Sequence, residues 1–244
     1  MTVPTKAFQL WLDSVAGDSS QAAVCRAAGI KRSTLAQQMV RGRVSIATVA
    51  AIARALQIPV LEALSRFPKY GYLSAEIKPP TDDELLSQIA DTDLLQEIIN
   101  RGAAAELGTE PPHVELSPIP HRSSVRCWID AIGPADLRLR LAKEAGIAPQ
   151  NLSAQISANR LTPELALSCA WIADVGLGNG LVSTGFLSPD EAGWDPDARG
   201  TALRATRSSK LILLAAERLE TLGKTVRRIE QDSDAVQAVW ENLG

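Results

Sequence analysis

The sequence predicts an all-α fold in which one helical plan occurs twice. Two observations carry this expectation. Apolar residues recur three and four positions apart along a chain rich in Ala and Leu, and strand-like alternation is missing. The chain also repeats itself at a spacing of 117: WLDSVAGDSSQAAVCRAAGIKRSTLAQQMVRGRV, starting at Trp11, aligns without a gap with WIDAIGPADLRLRLAKEAGIAPQNLSAQISANRL, starting at Trp128. Trp11 meets Trp128, Asp13 meets Asp130, Ala28-Gly29-Ile30 meets Ala145-Gly146-Ile147, Leu35 meets Leu152, Gln38 meets Gln155 and Arg43 meets Arg160. After a three-residue length difference, Gly71-Tyr72-Leu73-Ser74 answers Gly185-Phe186-Leu187-Ser188. Two copies, rather than the long run of a solenoid, point to a duplicated domain.

In the first copy, helices are expected at 6–16, 20–28, 32–40, 45–56 and 59–66. Each start has a signal: Ser19 or Ser20 before the second, Arg32-Ser33 opening the third, Ser45 before the fourth, and Pro59 as a first-turn proline of the fifth. The second copy repeats the plan near 122–132, 135–145, 149–157, 162–173 and 178–184, with Pro149 and Pro163 in first-turn positions. Gly29 and Gly146 stand where the second helix of each copy must reverse, which favours a residue with positive φ. Between the copies, PPTDDELLSQIADTDLLQEIINRGAAAELG predicts an acidic amphipathic helix or helix pair capped by Thr81, followed by a Pro-rich linker. EAGWDPDARG is loop-like. The tail from Ser208 is helical, with Leu211, Leu214, Ala215, Leu219, Leu222, Val226 and Ile229 near one stripe, to be covered either by the chain's own domain or by a second copy in a dimer.

The expected organisation is therefore an N-terminal domain at 1–75, an acidic helical connector and linker at 76–121, a second domain at 122–195 and a helical tail at 196–244. At 244 residues with 45% hydrophobic content, the chain can bury cores of that size. No stretch approaches the roughly 18 apolar residues of a membrane helix, and the N-terminus lacks a basic start with a smooth apolar run. No membrane partner and a cytoplasmic location are expected. The cysteines are odd in number and lack a CxxC pairing; under the 117-residue offset Cys25 falls opposite Ala142, Cys127 opposite Leu10 and Cys169 opposite Ile52, so each reads as small core packing. With only His113 and His121 in addition, beside prolines, no metal site or cofactor is expected.

The net charge of −3 conceals segregation. Residues 1–75 hold nine Lys/Arg and three Asp/Glu, a net +6, and residues 76–121 hold two and ten, a net −8. Residues 122–207 balance at nine and nine, and the remainder carries −1. An acidic connector beside a basic module is either a solubilising spacer or an intramolecular competitor for whatever the basic face binds.

The stretch SSQAAVCRAAGIKRSTLAQQMVRGR has Gln21 opening its second helix, small Ala27-Ala28 and Gly29 at the turn, Ile30 behind it, Ser33-Thr34 at the start of the third helix, and Leu35 and Met39 on its inner face. LRLRLAKEAGIAPQNLSAQISANRL has the same frame. Both resemble the Cro and lambda-repressor type helix-turn-helix family, also called XRE, over about 60 residues per copy. The resemblance implies two tandem lambda-repressor-like domains, a double-stranded DNA operator as partner, and a transcriptional regulator of the repressor kind found in phage and prophage immunity. Many repressors of this family carry a self-cleaving Ser/Lys domain on a β scaffold; here the C-terminal half has a second helical copy and a helical tail instead, so self-cleavage is not expected.

The residues support such a role on physical grounds. A short helix entering a major groove about 12 Å wide leads with its N-terminal end, so base-reading side chains cluster in its first turns and on its outer face. With Leu35, Met39 and Val40 inward, the third helix is expected to project Arg32, Ser33, Thr34, Gln37 and Gln38 towards bases, since Arg suits guanine, Gln suits adenine and Thr can offer a methyl to thymine. Gln21, Lys31, Arg41 and Arg43 flank this face as phosphate ligands. In the second copy Gln150, Asn151 and Gln155 are the expected readers, and Arg138, Asn159 and Arg160 the phosphate ligands. There Lys31 has become Ala148, Arg32 has become Pro149 and Arg41 has become Ala158, so the second copy is expected to bind more weakly. Both copies are expected to touch one operator whose sub-sites differ in sequence. Trp11 and Trp128 read as core anchors, and Trp194 and Trp240 as covers of hydrophobic seams.

No phosphate-cradling glycine loop, nucleophile elbow or paired-carboxylate frame is present, so no enzyme is expected. The competing expectation is an interaction or assembly protein in which only the first copy binds DNA, while the second copy and the tail serve oligomerisation, including homodimerisation through the C-terminal helix.

Overall fold

The computed structural model describes residues 2–74 and 78–241, with side chains as far as 234; the seam expected at Trp240 lies outside the described side chains. The described chain is mostly helical. In order it forms β1 (Thr2–Pro4), α1 (Thr5–Ala16), α2 (Gln21–Ala27), α3 (Arg32–Val40), β2 (Arg43–Ser45), α4 (Ile46–Ala55) and α5 (Val60–Ser65). A 3-10 turn (Pro68–Ser74) leads on to α6 (Asp82–Ser87) and α7 (Asp91–Leu107). Then follow α8 (Ser124–Ile132), α9 (Leu137–Ala145), α10 (Pro149–Ser157), α11 (Pro163–Ile172) and α12 (Leu177–Ser183). A second 3-10 turn (Asp190–Ala192), α13 (Ala198–Ala205) and α14 (Ser208–Glu241) complete it.

The 117-residue repeat holds at the level of the backbone. Adding 117 to the bounds of α3 and α4 gives those of α10 and α11, residue for residue. The same offset pairs the residues forced to positive φ: Gly29 with Gly146 (both 64°), Gly42 with Asn159 (73° and 53°), and Gln57 with Asp174 (56° and 55°). Each marks the C-terminal end of a helix, where a left-handed residue lets the next amide reach back to an orphan carbonyl. Ile30 N–H donates to Cys25 O at 2.9 Å, and Ile147 N–H to Ala142 O at 3.0 Å. Ile58 N–H donates to Ala53 O at 2.8 Å, and Val175 N–H to Ala170 O at 3.0 Å. Three of these positions carry Asn, Asp or Gln rather than Gly. The helix caps repeat too: Ser45 Oγ accepts from Thr48 N–H at 3.1 Å, and Thr162 Oγ1 from Leu165 N–H at 3.4 Å.

By contact the described residues form two compact units. One contains both copies together with α6 (1–88 and 119–198); the other is built from 89–118 and 199–244.

In the first copy Phe8, Trp11, Val24, Leu35, Ile52, Leu64 and Phe67 form the core, with Trp11 stacked at a tilt between Phe8 and Phe67, each 5.8 Å away between ring centroids. In the second, Trp128 is 1% exposed among Leu137, Leu141, Leu152, Ile156, Ala166 and Cys169. The three cysteines are free and buried; Ala142 and Ile52, the counterparts of Cys25 and Cys169, are buried too, whereas Leu10, the counterpart of Cys127, is exposed.

Two backbone details of the first copy depart from the sequence expectation. First, a short sheet exists: β1 pairs antiparallel with β2 through Val3 and Val44, both buried. It fastens the N-terminal strand to the turn that follows α3. The second copy makes the same fastening with a side chain. Asn159, the counterpart of Gly42, accepts from Val125 N–H at 2.9 Å and donates to His121 O at 3.0 Å. Second, Pro59 is the residue that precedes α5 rather than its first helical residue; its ψ of 128° is extended.

The acidic connector is folded rather than free. Thr81 and Glu84 form a capping box at the start of α6, and the same Glu84 carboxylate, fully buried, accepts from Trp128 Nε1 at 3.1 Å and from Asn179 Nδ2 at 3.2 Å. Asn179 Oδ1 in turn accepts from Trp194 Nε1 at 2.8 Å, and Trp194 is buried. Unit two uses its carboxylates similarly. Asp93 accepts from the backbone N–H and hydroxyl of Ser117 at 2.7 and 2.9 Å, and Glu97 accepts from Arg101 at 2.7 Å. Arg218, buried on α14, donates to Ile89 O at 2.8 Å. The tail stripe is divided: Leu211 and Ala215 are buried beside α7, whereas Leu219, Val226 and Ile229 are exposed. α13 begins within the last three residues of the segment expected to be a loop, 191–200, and runs on into the expected helical tail. Among the described residues no helix is long and apolar enough to cross a membrane.

Candidate nucleic-acid interface

α3 stands between the turn at Gly29 and the turn at Gly42, and Leu35, 1% exposed, anchors its inner side. No side chain caps its first turn, so the amides at its N-terminus are not taken up by its N-cap residue, Lys31. Arg32, Ser33, Thr34, Gln37 and Arg41 are all exposed, as expected. Gln21, Lys31 and Arg43 are exposed too, as is Arg26 at the end of α2. Among the described residues none of Arg26, Lys31, Arg32, Arg41 and Arg43 takes part in an ion pair. These five are the majority of the nine cations that give residues 1–75 their positive balance. At a 1.5 Å rise, α3 is roughly 13 Å long, which fits the width of a major groove.

Two residues of α3 exchange the roles expected of them. Gln38 is half-buried, and its side-chain oxygen accepts from Ser45 N–H at 2.8 Å and from the Thr48 hydroxyl at 3.1 Å. It ties α3 to the start of α4 and leaves the outward set. Val40, expected inside, is 90% exposed. The inner side is already filled by Leu35 with half-buried Gln38 and Met39, and the strand pair brings Val3 and Val44 to the core in its place. Ala36, Gln37, Val40 and Arg41 therefore lie on the solvent side, one turn apart in pairs. Val40 is the residue that sequence reasoning missed, and the signal that finds it is structural: an apolar side chain left bare beside Gln37, suited to the methyl group of a thymine.

The second copy has the same frame with a different surface. On α10 Gln150 and Asn151 are exposed, as is Arg160 beyond it. Gln155 takes Gln38's inward position, half-buried; Leu165 stands where Thr48 offers its hydroxyl, and the Gln155 side-chain oxygen is buried without a hydrogen-bond partner among the described residues. Asn159 is engaged with Val125 and His121, as above, and so serves the framework rather than a phosphate. Arg138 is ion-paired with Asp130. The outward surface of α10 itself is then neutral: Pro149, Gln150, Asn151, Ser153, Ala154, Ser157 and Ala158. The structure thus leaves the expected set on α3 exposed except for Gln38, and exposes only part of the expected set on α10.

Comparison of the chain with family models, curated proteins and solved structures found no match.

Proposed function

We propose that the chain is a sequence-specific double-stranded DNA-binding transcriptional regulator, a repressor that occupies an operator and excludes polymerase, with its two copies acting as tandem helix-turn-helix modules. The observation that carries this reading is the outer surface of α3. Base-competent side chains (Arg32, Thr34, Gln37 and Val40) stand between cations that have no acidic partner among the described residues. Left unpaired on a helix anchored from behind, they suit the phosphates on either side of a groove, with Arg32 offering two donors to guanine and Gln37 a donor and an acceptor to adenine.

A second reading has its own observation. The neutral outward surface of α10 and the exposed Leu219, Val226 and Ile229 of α14 suit a chain in which only the first copy engages DNA, while α14 pairs with α14 of a second copy. Selection of bound duplexes from a randomised library tests both. Two enriched blocks of unlike sequence support the first reading, and a single block, alone or repeated as two like halves by a dimer, supports the second. No enrichment, with binding that falls equally on all sequences, overturns sequence-specific recognition.

A further inference from the structure

Within the unit that holds both copies, the contacts between them follow a two-fold rule. The two offsets of the repeat, 117 up to α5 and 114 from Gly71 onward, make Arg54 the counterpart of Trp171, Tyr72 the counterpart of Phe186 and Leu61 the counterpart of Gly178. Arg54 Nη2 donates to Phe186 O at 2.7 Å, and its guanidinium also holds Glu191 at 2.6 and 2.8 Å. The mirror of that contact is present: Trp171 meets Tyr72 edge-on, with ring centroids 6.4 Å apart. Leu61 meets its own counterpart, since a Cβ on Gly178 would lie 3.6 Å from Leu61 Cδ1. Position i of one copy touching j of the other, while j touches i, and one position touching itself, is the signature of an isologous interface; copies related by translation make neither kind of contact in pairs. The surfaces used are the end of α4, α5 and the following turn, with their counterparts in the second copy. α3 and α10 contribute no residue to these contacts.

From this we infer that the chain is a covalent pseudo-dimer whose DNA ligand carries two unlike half-sites in inverted orientation. The inference rests on the proposed reading of both copies as DNA readers and adds the relation between their half-sites. A two-fold between readers reverses the direction in which the second one meets the duplex, so a half-site read by α3 on one strand is matched by a half-site read by α10 on the other. Because Arg32-Ser33-Thr34-Gln37 faces Pro149-Gln150-Asn151-Ala154 in the alignment, the inverted halves differ in sequence and the symmetry is hidden.

Making the readers identical reveals it. All six positions of α10 and its borders that correspond to the α3 set are exposed, so the graft Ala148→Lys, Pro149→Arg, Gln150→Ser, Asn151→Thr, Ala154→Gln and Ala158→Arg leaves the core untouched. The reciprocal graft, Lys31→Ala, Arg32→Pro, Ser33→Gln, Thr34→Asn, Gln37→Ala and Arg41→Ala, serves if the first lowers the melting temperature. Each full-length chain is used to select from a randomised duplex library. The expected result is that a grafted chain enriches an inverted repeat, and that it binds two inverted half-sites about a hundredfold more tightly than one, the gain of joining two modules. Enrichment of a direct repeat, or of a single half-site, overturns the two-fold arrangement while leaving DNA recognition standing. Failure of the parent and both grafts to enrich any sequence overturns the proposed function itself.

Discussion

Lys31 and Arg41 bracket α3, are exposed and have no ion-pair partner among the described residues, which makes their removal a clean probe of the DNA reading. Each phosphate neutralised on duplex DNA contributes about 0.9 to the slope of log affinity against log salt. The double variant Lys31→Ala/Arg41→Ala is therefore expected to lower that slope by about 1.8. Across a fourfold change of salt, from about 50 to 200 mM, the loss of affinity should shrink by roughly 12-fold relative to the parent. Gln37→Ala should behave in the opposite way. It weakens the selected operator by about 1–3 kcal/mol, roughly five- to 150-fold, and leaves the salt slope alone, because a base contact releases no counterion. Lys224→Ala, on α14 where the side chain pairs with Glu220 at 2.6 Å, is the control and should change neither quantity. Fluorescence anisotropy on a labelled operator at five or six salt concentrations measures all of them. A salt slope in the Lys31/Arg41 variant equal to that of the parent would refute the placement of phosphates beside α3.

Gln38→Ala is expected to leave base preference unchanged and to lower stability by about 1–2 kcal/mol, since it strips an acceptor from Ser45 N–H and the Thr48 hydroxyl; a thermal melt that matches the parent would count against its structural role. The Arg54 guanidinium, by its hydrogen bond, holds the Glu191 carboxyl below the usual carboxylate range. A carboxyl whose pKa is depressed on folding stabilises the protein above its unfolded value of about 4.3 and loses that contribution as pH falls through the folded value. The parent's melting temperature should accordingly fall more steeply below about pH 4.3 than that of Arg54→Met, and parallel profiles would refute the coupling. Burial pushes the Cys169 thiol up to about 12. With Cys25 and Cys127 also buried, the native protein should resist a thiol reagent at pH 8 and react fully on unfolding, and rapid modification of the native state would overturn that packing. Cutting the chain after Thr221, which removes the exposed Val226 and Ile229, should convert any dimer seen in sedimentation to monomer; an unchanged sedimentation coefficient would refute pairing through α14.

Helix positions were legible to within about two residues in most elements because burial and turn chemistry agree locally: Leu35 and Met39 at the spacing of a helix face, Gly29 at a reversal, Ser45 and Thr162 at a cap. Features set by distant partners were not. β1 and β2 are three residues each, too short for alternation to register, and they exist because Val3 and Val44 meet across the chain. The inward turn of Gln38 depends on Ser45 and Thr48, which stand in the next elements, so a helical wheel with Val40 inside and Gln38 outside was equally consistent with the sequence. α13 was hidden in a segment of small and charged residues whose burial comes from the remote Ser117 and Arg101, whose side chains and carbonyls meet Arg199 and Leu203. At the candidate interface the exposure of Arg32, Ser33, Thr34, Gln37 and Arg41 was legible, and the directions of Gln38 and Val40 were not.

Charge counted along the chain misleads for the same reason. The connector's excess of acid suggests a rival for the basic face, yet Glu84 is enclosed by Thr81, Trp128 and Asn179, while Asp93 and Glu97 are held by Ser117 and Arg101. These carboxylates serve as acceptors within their own units, and a carboxylate with its lone pairs occupied by fixed donors has little reason to move onto a neighbouring surface. The cations of α3 are in the opposite state, exposed and without acidic partners among the described residues. The two copies differ in the same terms. The second keeps the framework, with positive φ at Gly146, Asn159 and Asp174 and a buried Trp128, while the outward surface of α10 is neutral. A backbone plan that tolerates Asn and Asp at turns where glycine is easier is supported by hydrogen bonds, those of Asn159 to the distant Val125 and His121 above all. That leaves the outward residues of α10 free to differ from those of α3 without disturbing the fold, which is the condition under which one chain can hold two unlike readers on a shared two-fold.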